Sequence, residues 1–318
     1  MVGRPEVDRL ARDHATGAHR ARSSRSPCLP LGSPNLTGGL RVPGTYEIDQ
    51  AQDGHVAVWL EDIRTTGLEQ WPLEMYETAA YALGRFNGAF VVRPLPDHPW
   101  LVTDWAARQS EPVDMAVALA DIARHASDDR ARRALGDDIG QRAALMLKDQ
   151  TRFIADLARL PQTLCHHDAA RSNLIARRGD DGTTEMVAID WESTGPGPIG
   201  AEIATLVSAS LRKGDFPADR TAELDAAVVD AYVAGLSESG WSGDPSTVRL
   251  GYAMSLALRC WFVRDTLRNV TDPNARPVFG RALDVPADDV LKAFVLVSRF
   301  LLDRTDEARA LSMSLLPR

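Results

Sequence analysis

The run Leu164–Ile175 contains His166, then Asp168 two residues on, then Asn173 five residues after that. Seventeen residues beyond Asn173 comes Asp190, at the end of the apolar stretch Met186–Ile189. Phosphoryl transfer needs this kind of side-chain set. One carboxylate accepts or orients the proton of the attacking hydroxyl, and an amide oxygen with a second carboxylate holds magnesium against the phosphates. Asp168 and Asn173, spaced across a tight loop, can point to one side of it, and a hairpin over 173–190 returns Asp190 to the same place. His166 is suited to bracing the loop by hydrogen bonds rather than to touching a substrate. Plain structural roles compete with this reading: Asp168 as an Asx-turn residue, Asn173 as a loop cap. A metal-hydrolase reading of His166-His167-Asp168 needs more histidines, and none follows His167.

A second pattern, Gly195-Pro-Gly197-Pro-Ile-Gly200, follows a strand candidate and precedes a helix candidate. A dinucleotide fingerprint grips pyrophosphate with backbone N–H groups, and Pro196 and Pro198 lack two of those donors. The segment is expected to be a short loop before the next helix, with Glu202 anchoring that turn.

The elements that must position these residues change character along the chain. Residues 1–44 carry scattered arginines, and their prolines and glycines break any long element; a poorly ordered arm is expected there. Order is expected from Thr45, with a strand over His55–Leu60 ending at Glu61-Asp62. Apolar residues at three- and four-residue steps predict helices over Leu73–Phe90 and Asp138–Leu160. Short apolar runs predict strands over Thr163–His166, Asn173–Ala176 and Met186–Asp190, the last two joined by a turn at Asp181-Gly182. After Ile199 the pattern is helical almost to the end.

Taken together, the loop, the returning aspartate and this element order resemble the aminoglycoside phosphotransferase and choline kinase superfamily, small-molecule relatives of the protein kinases. The resemblance spans about residues 55–310. It implies an α+β, protein-kinase-like fold: an incomplete N-terminal small lobe, with residues 45–62 as its remnant and hinge, and a large, mostly helical C-terminal lobe over 63–318. It gives Asp168 the role of base, with His166 in the catalytic loop, and makes Asn173 and Asp190 the magnesium ligands. Backbone groups near Leu60 and Asp62 would face the adenine of ATP. Two positions depart from the family pattern: His167 stands where glycine is usual, and Trp191-Glu192 follows Asp190. The implied activity is ATP- and Mg²⁺-dependent O-phosphorylation of a small hydroxylated acceptor bound by residues 200–310, whose acidic residues suit a cationic molecule.

The family's phosphate-gripping glycine loop and strand-borne lysine are not found. The chain has three lysines, Lys148, Lys213 and Lys292, so Arg22 or Arg41 would have to supply charge before the hinge. A non-catalytic kinase-like binding protein is therefore the alternative reading.

Bulk composition narrows the field. With 36 basic and 44 acidic residues the chain carries −8, which disfavours nucleic-acid binding. No stretch is long and apolar enough to predict a membrane span. Three widely spaced cysteines fit neither a disulfide framework nor a metal knuckle, and a cytoplasmic setting is expected. No protein partner is indicated.

Overall fold

The computed structural model describes residues 35–37, 40–50, 56–63, 70–110, 114–178, 184–272 and 285–316. The Asp181-Gly182 turn, His55 and residues 1–34, Arg22 included, lie outside them.

Two short strands, β1 (Asn35–Thr37) and β2 (Leu40–Arg41), come first. β3 (Thr45–Gln50) and β4 (Val56–Leu60) pair antiparallel as a separate ribbon. β2 runs parallel to β7 (Thr184–Ala188), which is antiparallel to β6 (Leu174–Arg178); the sheet order is β1-β2-β7-β6. The expected arm over 1–44 thus needs correction at its end, because residues 35–41 form strands and Leu40 is wholly buried. Glycine and proline exclude a long element there, but not strands of two and three residues held by a tertiary partner.

The pair β5 (Gln162–Cys165) and β8 (Gly195–Pro198) is antiparallel, with Cys165 opposite Gly195 and Thr163 opposite Gly197. The glycine-proline segment is therefore a strand and not the expected loop. Its register explains the glycines: a Cβ at Gly195 would lie 1.9 Å from the Val102 carbonyl oxygen, and one at Gly197 would lie 2.4 Å from His167 Cε1. Such close backbone approach tolerates only hydrogen at these positions.

Helices form the rest: α1 (Leu73–Val91), α2 (Trp105–Gln109), α3 (Met115–Ala126), α4 (Asp129–Leu135), α5 (Ile139–Leu157), α6 (Ala201–Lys213), α7 (Thr221–Glu238), α8 (Pro245–Ala257), α9 (Cys260–Thr271) and α10 (Ala287–Leu315). Their starts follow capping chemistry where the side chain allows it. Asp114 accepts from the Ala116 and Val117 N–H groups, and Asp244 accepts from Ser246 ahead of a helix that begins with Pro245. α1 lies against α7 with almost no gap, since a Cβ at Gly84 would sit 2.2 Å from the Tyr232 carbonyl oxygen. Between them Asn87, fully buried, donates to the Leu164 carbonyl and accepts from the Tyr232 hydroxyl. That link moors β5, and with it the loop that follows, to the helical core.

Among the described residues no helix is long and apolar enough to cross a membrane. Cys165 and Cys260 are buried free thiols.

Candidate active site

β5 ends at Cys165 and releases the chain into the loop bearing His166, His167 and Asp168. Glu202, at the start of α6 and fully buried, holds the beginning of that loop: its two carboxylate oxygens accept from the backbone N–H groups of His166 (3.1 Å) and His167 (2.8 Å). Glu202 therefore anchors the loop rather than the turn preceding its own helix. Burial pushes its carboxyl up to about 7, and the two N–H donors oppose the shift.

His166 bridges the loop to the hairpin. Its Nδ1 accepts from the Asp168 N–H (3.2 Å), which leaves Nε2 to donate to the Ile189 carbonyl (2.8 Å). Burial lowers it to about 4, so the ring is neutral. Trp191 packs on it at 4.5 Å and donates from Nε1 to the Ala188 carbonyl. The bracing role expected for His166 matches these bonds.

His167 adopts φ +65°, the left-handed region, where a glycine would cost least. Its ring stacks on Trp105 (4.5 Å between centroids), abuts Gly197, and donates from Nε2 to the Pro196 carbonyl. Cys165, His167 and Glu202 have ligand-type atoms within 4.8 Å of one another. Two of the three groups are already committed: both Glu202 oxygens take backbone N–H groups, and burial pushes the Cys165 thiol up and away from thiolate. This trio is a packed brace and not a metal centre.

Asp168 and Asn173 meet directly. The Asn173 side-chain amide donates to the Asp168 carbonyl (2.9 Å) and carboxylate (2.8 Å). The Ile189 N–H donates to the Asn173 carbonyl, so the residues preceding Asp190 are bonded to Asn173 itself. Asp190 sits in the left-handed region at φ 63°, ψ 60°, which an aspartate tolerates better than most residues. Burial raises the Asp168 carboxyl; the Asn173 bond and Lys213 oppose this, while the charges of Asp190 and Glu192 reinforce it. Asp190 also acts on His166. The structure thus brings His166, Asp168, Asn173 and Asp190 together.

Leu60 and Asp62 are a different matter, for they lie outside this cluster at the exposed end of β4. The residue between them is the connection. Glu61 accepts from both terminal nitrogens of Arg41 (2.7 and 3.0 Å), from Arg177 of β6 (2.8 Å) and from the Gly44 N–H (3.0 Å). Arg41 holds its carboxyl down at about 2. One half-buried network therefore fastens the segment 60–62 to the hairpin carrying Asn173 and Asp190. It also commits Arg41, so that guanidinium is not available as the cation suggested for phosphate.

A cavity of about 150 Å³ opens beside Asp168, between α6, α9 and α10. Asp168 is the single acidic residue lining it, whereas Arg212, Lys213 and Arg259 contribute three cations. The acids expected to favour a cationic acceptor do not line this cavity, Asp168 apart. Acids of residues 200–310 are held in ion pairs: Asp225 with Arg249 and Arg304, Glu307 with Arg249, and Asp303 and Asp306 with Arg142.

The strand ribbon, the catalytic-type loop with its returning hairpin and the helical lobe define a kinase-like α+β phosphotransferase fold. The model of the phosphotransferase enzyme family matches residues 36–243, and the chain belongs to that family. Among solved structures, it is similar to the aminoglycoside phosphotransferase from Alicyclobacillus acidocaldarius (18% identity, 93% of this chain and 86% of that one, TM-score 0.52). It is likewise similar to the microcompartment-associated aminopropanol kinase (16% identity, 92% and 86%, TM-score 0.53). At these identities the likeness is one of fold. No curated protein matches the chain in sequence.

Proposed function

We infer that the chain is an ATP-dependent O-phosphotransferase acting on a small hydroxylated molecule. The observation that carries this reading is the direct bond from Asn173 to Asp168, with Asp190 returned beside them by the β6–β7 hairpin.

In this reading Asp168 takes the proton of the acceptor hydroxyl. As it does so, that oxygen bonds the γ-phosphorus of ATP and the bond from the phosphorus to ADP breaks; the proton then passes to solvent. The raised carboxyl of Asp168 suits a base of this kind. His166 and Glu202 hold the loop so that the carboxylate keeps its aim. The donor set fits a magnesium ion. Asn173 spends its amide hydrogens on Asp168, its Oδ1 takes only a 3.4 Å bond from the Ser172 hydroxyl and keeps a lone pair for an ion, and among the described residues the Asp190 carboxylate has no hydrogen-bond or ion-pair partner. Hard oxygen ligands of this type are what magnesium takes. Asn173 and Asp190 would hold the ion, which when bound neutralises charge on the transferring phosphates. Backbone groups of Leu60 and Asp62 are assigned to the adenine, steadied by Glu61.

The second reading, a non-catalytic kinase-like binding protein, is favoured by the state of Arg41. It is the one cationic side chain among the described residues up to Ile63, and Glu61 holds it. ADP release with a panel of hydroxylated acceptors separates the two. Turnover that falls about 10²–10⁴-fold in Asp168→Ala supports transfer, that being the usual contribution of a positioned base. Turnover unchanged by that substitution removes Asp168 from its role.

A further inference from the structure

The cavity beside Asp168 has a charge that the chain as a whole would not suggest. Three cations line it against one carboxylate, in a protein whose formal charge is −8. Neither Asn173 nor Asp190 lines it, so it is a compartment distinct from the space between those two side chains, with Asp168 bordering both. That is where an acceptor hydroxyl has to arrive if it is to meet Asp168.

Arg259 is the informative residue. It follows α8, is only 7% exposed, and donates to the Ser255 carbonyl and to Thr205 Oγ1 (3.2 Å). Among the described residues no carboxylate lies within ion-pair distance of it. Burial and the neighbouring charge of Arg212 together lower it to about 10. Elsewhere in the protein buried or half-buried arginines have acidic partners, as Arg249 has Asp225 and Glu307, and Arg304 has the same two. A buried guanidinium next to a second one, with only neutral acceptors, costs free energy unless an anion completes it. Arg212 lies over the Trp261 ring at 5.6 Å and is itself half-buried, so its head is held at the wall and not free to swing into bulk water. Lys213 donates to Ser172 Oγ in the loop that carries Asp168. The fork of a guanidinium matches the paired oxygens of a carboxylate or a phosphate.

Resting on the phosphotransferase reading, we propose that this cavity binds a small hydroxylated anion, whose carboxylate or phosphate is received by Arg259 and Arg212 while its hydroxyl faces Asp168. A volume near 150 Å³ is that of a cavity filled by a benzene-sized group, so the anion is a compact one. Apolar side chains of α9 and α10 close the far wall and keep water from the ion pair. The hydroxyl oxygen gains the phosphoryl group, its proton goes to Asp168, and the anionic group takes no part in bond exchange. A cationic amine would instead be repelled by three like charges.

Binding to the full chain without nucleotide tests the cavity independently of turnover. Glycerate and glycerol 3-phosphate are compared with glycerol and ethanolamine by melting temperature and calorimetry. At least one of the two anions should bind and raise the melting temperature, and the neutral and cationic compounds should not. Which anion binds tells a carboxylate from a phosphate monoester. Arg259→Met and Arg212→Met should each weaken the anion about 10- to 100-fold, the value of one or two charge-assisted hydrogen bonds. Arg259→Lys, which keeps the charge, guards against a folding failure of the methionine variant and should retain more affinity than it. Asp168→Asn should tighten the anion by removing the one negative wall. Ethanolamine or glycerol binding as well as the anions, no binding by either anion, or anion affinity indifferent to both Arg259→Met and Arg212→Met overturns the proposal. Ethanolamine phosphorylated through Asp168 would sink the anionic acceptor and keep the transferase. Arginine-dependent anion binding with no phosphorylation of any acceptor would do the reverse.

Discussion

Replacing Glu202 is the most informative single perturbation of the loop. Its side chain is fully buried and each carboxylate oxygen takes one backbone N–H, from His166 and from His167. Glu202→Ala strands both donors in an apolar interior, and each orphaned donor costs about 1–3 kcal/mol. The expected loss is therefore about 2–6 kcal/mol, plus a share for the cavity. Glu202→Gln keeps the shape and one acceptor but turns an NH₂ toward the other N–H, so about 1–3 kcal/mol is expected. The pH dependence sharpens the test. The folded carboxyl sits near 7 and the unfolded one near 4.5, so between these values the folded state holds more protons than the unfolded state. This group's contribution is fully present below about 4.5 and declines as pH rises to about 7, at up to ~1.4 kcal/mol per unit. Urea denaturation from pH 4.5 to 8 should show wild type losing stability relative to Glu202→Gln as pH rises, with the difference flat above pH 7. Asp168 is two residues from the first anchored amide, so kcat should fall with KM for the acceptor changing less. An alanine variant within 0.5 kcal/mol of wild type, or a difference that does not move with pH, refutes the anchoring role.

Three other outcomes are expected. Glu61→Ala should lower stability by about 1–3 kcal/mol through loss of its half-buried partners Arg41 and Arg177, and should raise KM for ATP more than it lowers kcat; an unchanged KM for ATP removes the segment Leu60–Asp62 from nucleotide binding. Gly197→Ala should cost about 1–3 kcal/mol by driving its Cβ into His167 and Cys165, and combining it with His167→Gly should recover part of that loss in a double-mutant cycle. His166 and His167 are lowered to about 4 and about 3, so the unfolded state binds more protons than the folded one below about 6.5. Their contribution is fully present above 6.5 and is lost as pH falls toward 4; His167→Phe should flatten that acid limb in urea titrations.

The site was more legible in the sequence than its surroundings were. Asp168, Asn173 and Asp190 could be read because their types and spacing follow from a local loop and one hairpin, and the hairpin is specified by two short apolar runs. The long helices α1 and α5 were legible for a similar reason, each carrying a regular apolar face. β1 and β2 were not, because three- and two-residue strands have no periodicity and exist only through pairing, β1 with β2 and β2 with β7. β8 was hidden by its own composition: two prolines and two glycines argue for a loop, yet β5 supplies the partner and the close approach of Val102 and His167 requires the glycines. Glu61 looked like an ordinary acid at a strand end and Glu202 like the anchor of its own turn, since what they hold lies seventeen or more residues away. The cationic cavity was least legible. Arg212 and Arg259 are 47 residues apart and meet only because α6 packs beneath the end of α8, while several acids of that region, Asp225, Asp303, Asp306 and Glu307 among them, are held in ion pairs elsewhere.

In the proposed reading Asp168, Asn173 and Asp190 share one space able to hold magnesium and the phosphates of ATP. Calorimetric titration with ATP, with and without Mg²⁺, tests it on wild type, Asn173→Ala and Asp190→Ala. Mg²⁺ is expected to tighten ATP binding to wild type, and either substitution to abolish this tightening. Nucleotide binding that is absent from wild type, or a magnesium effect that survives in both variants, contradicts it.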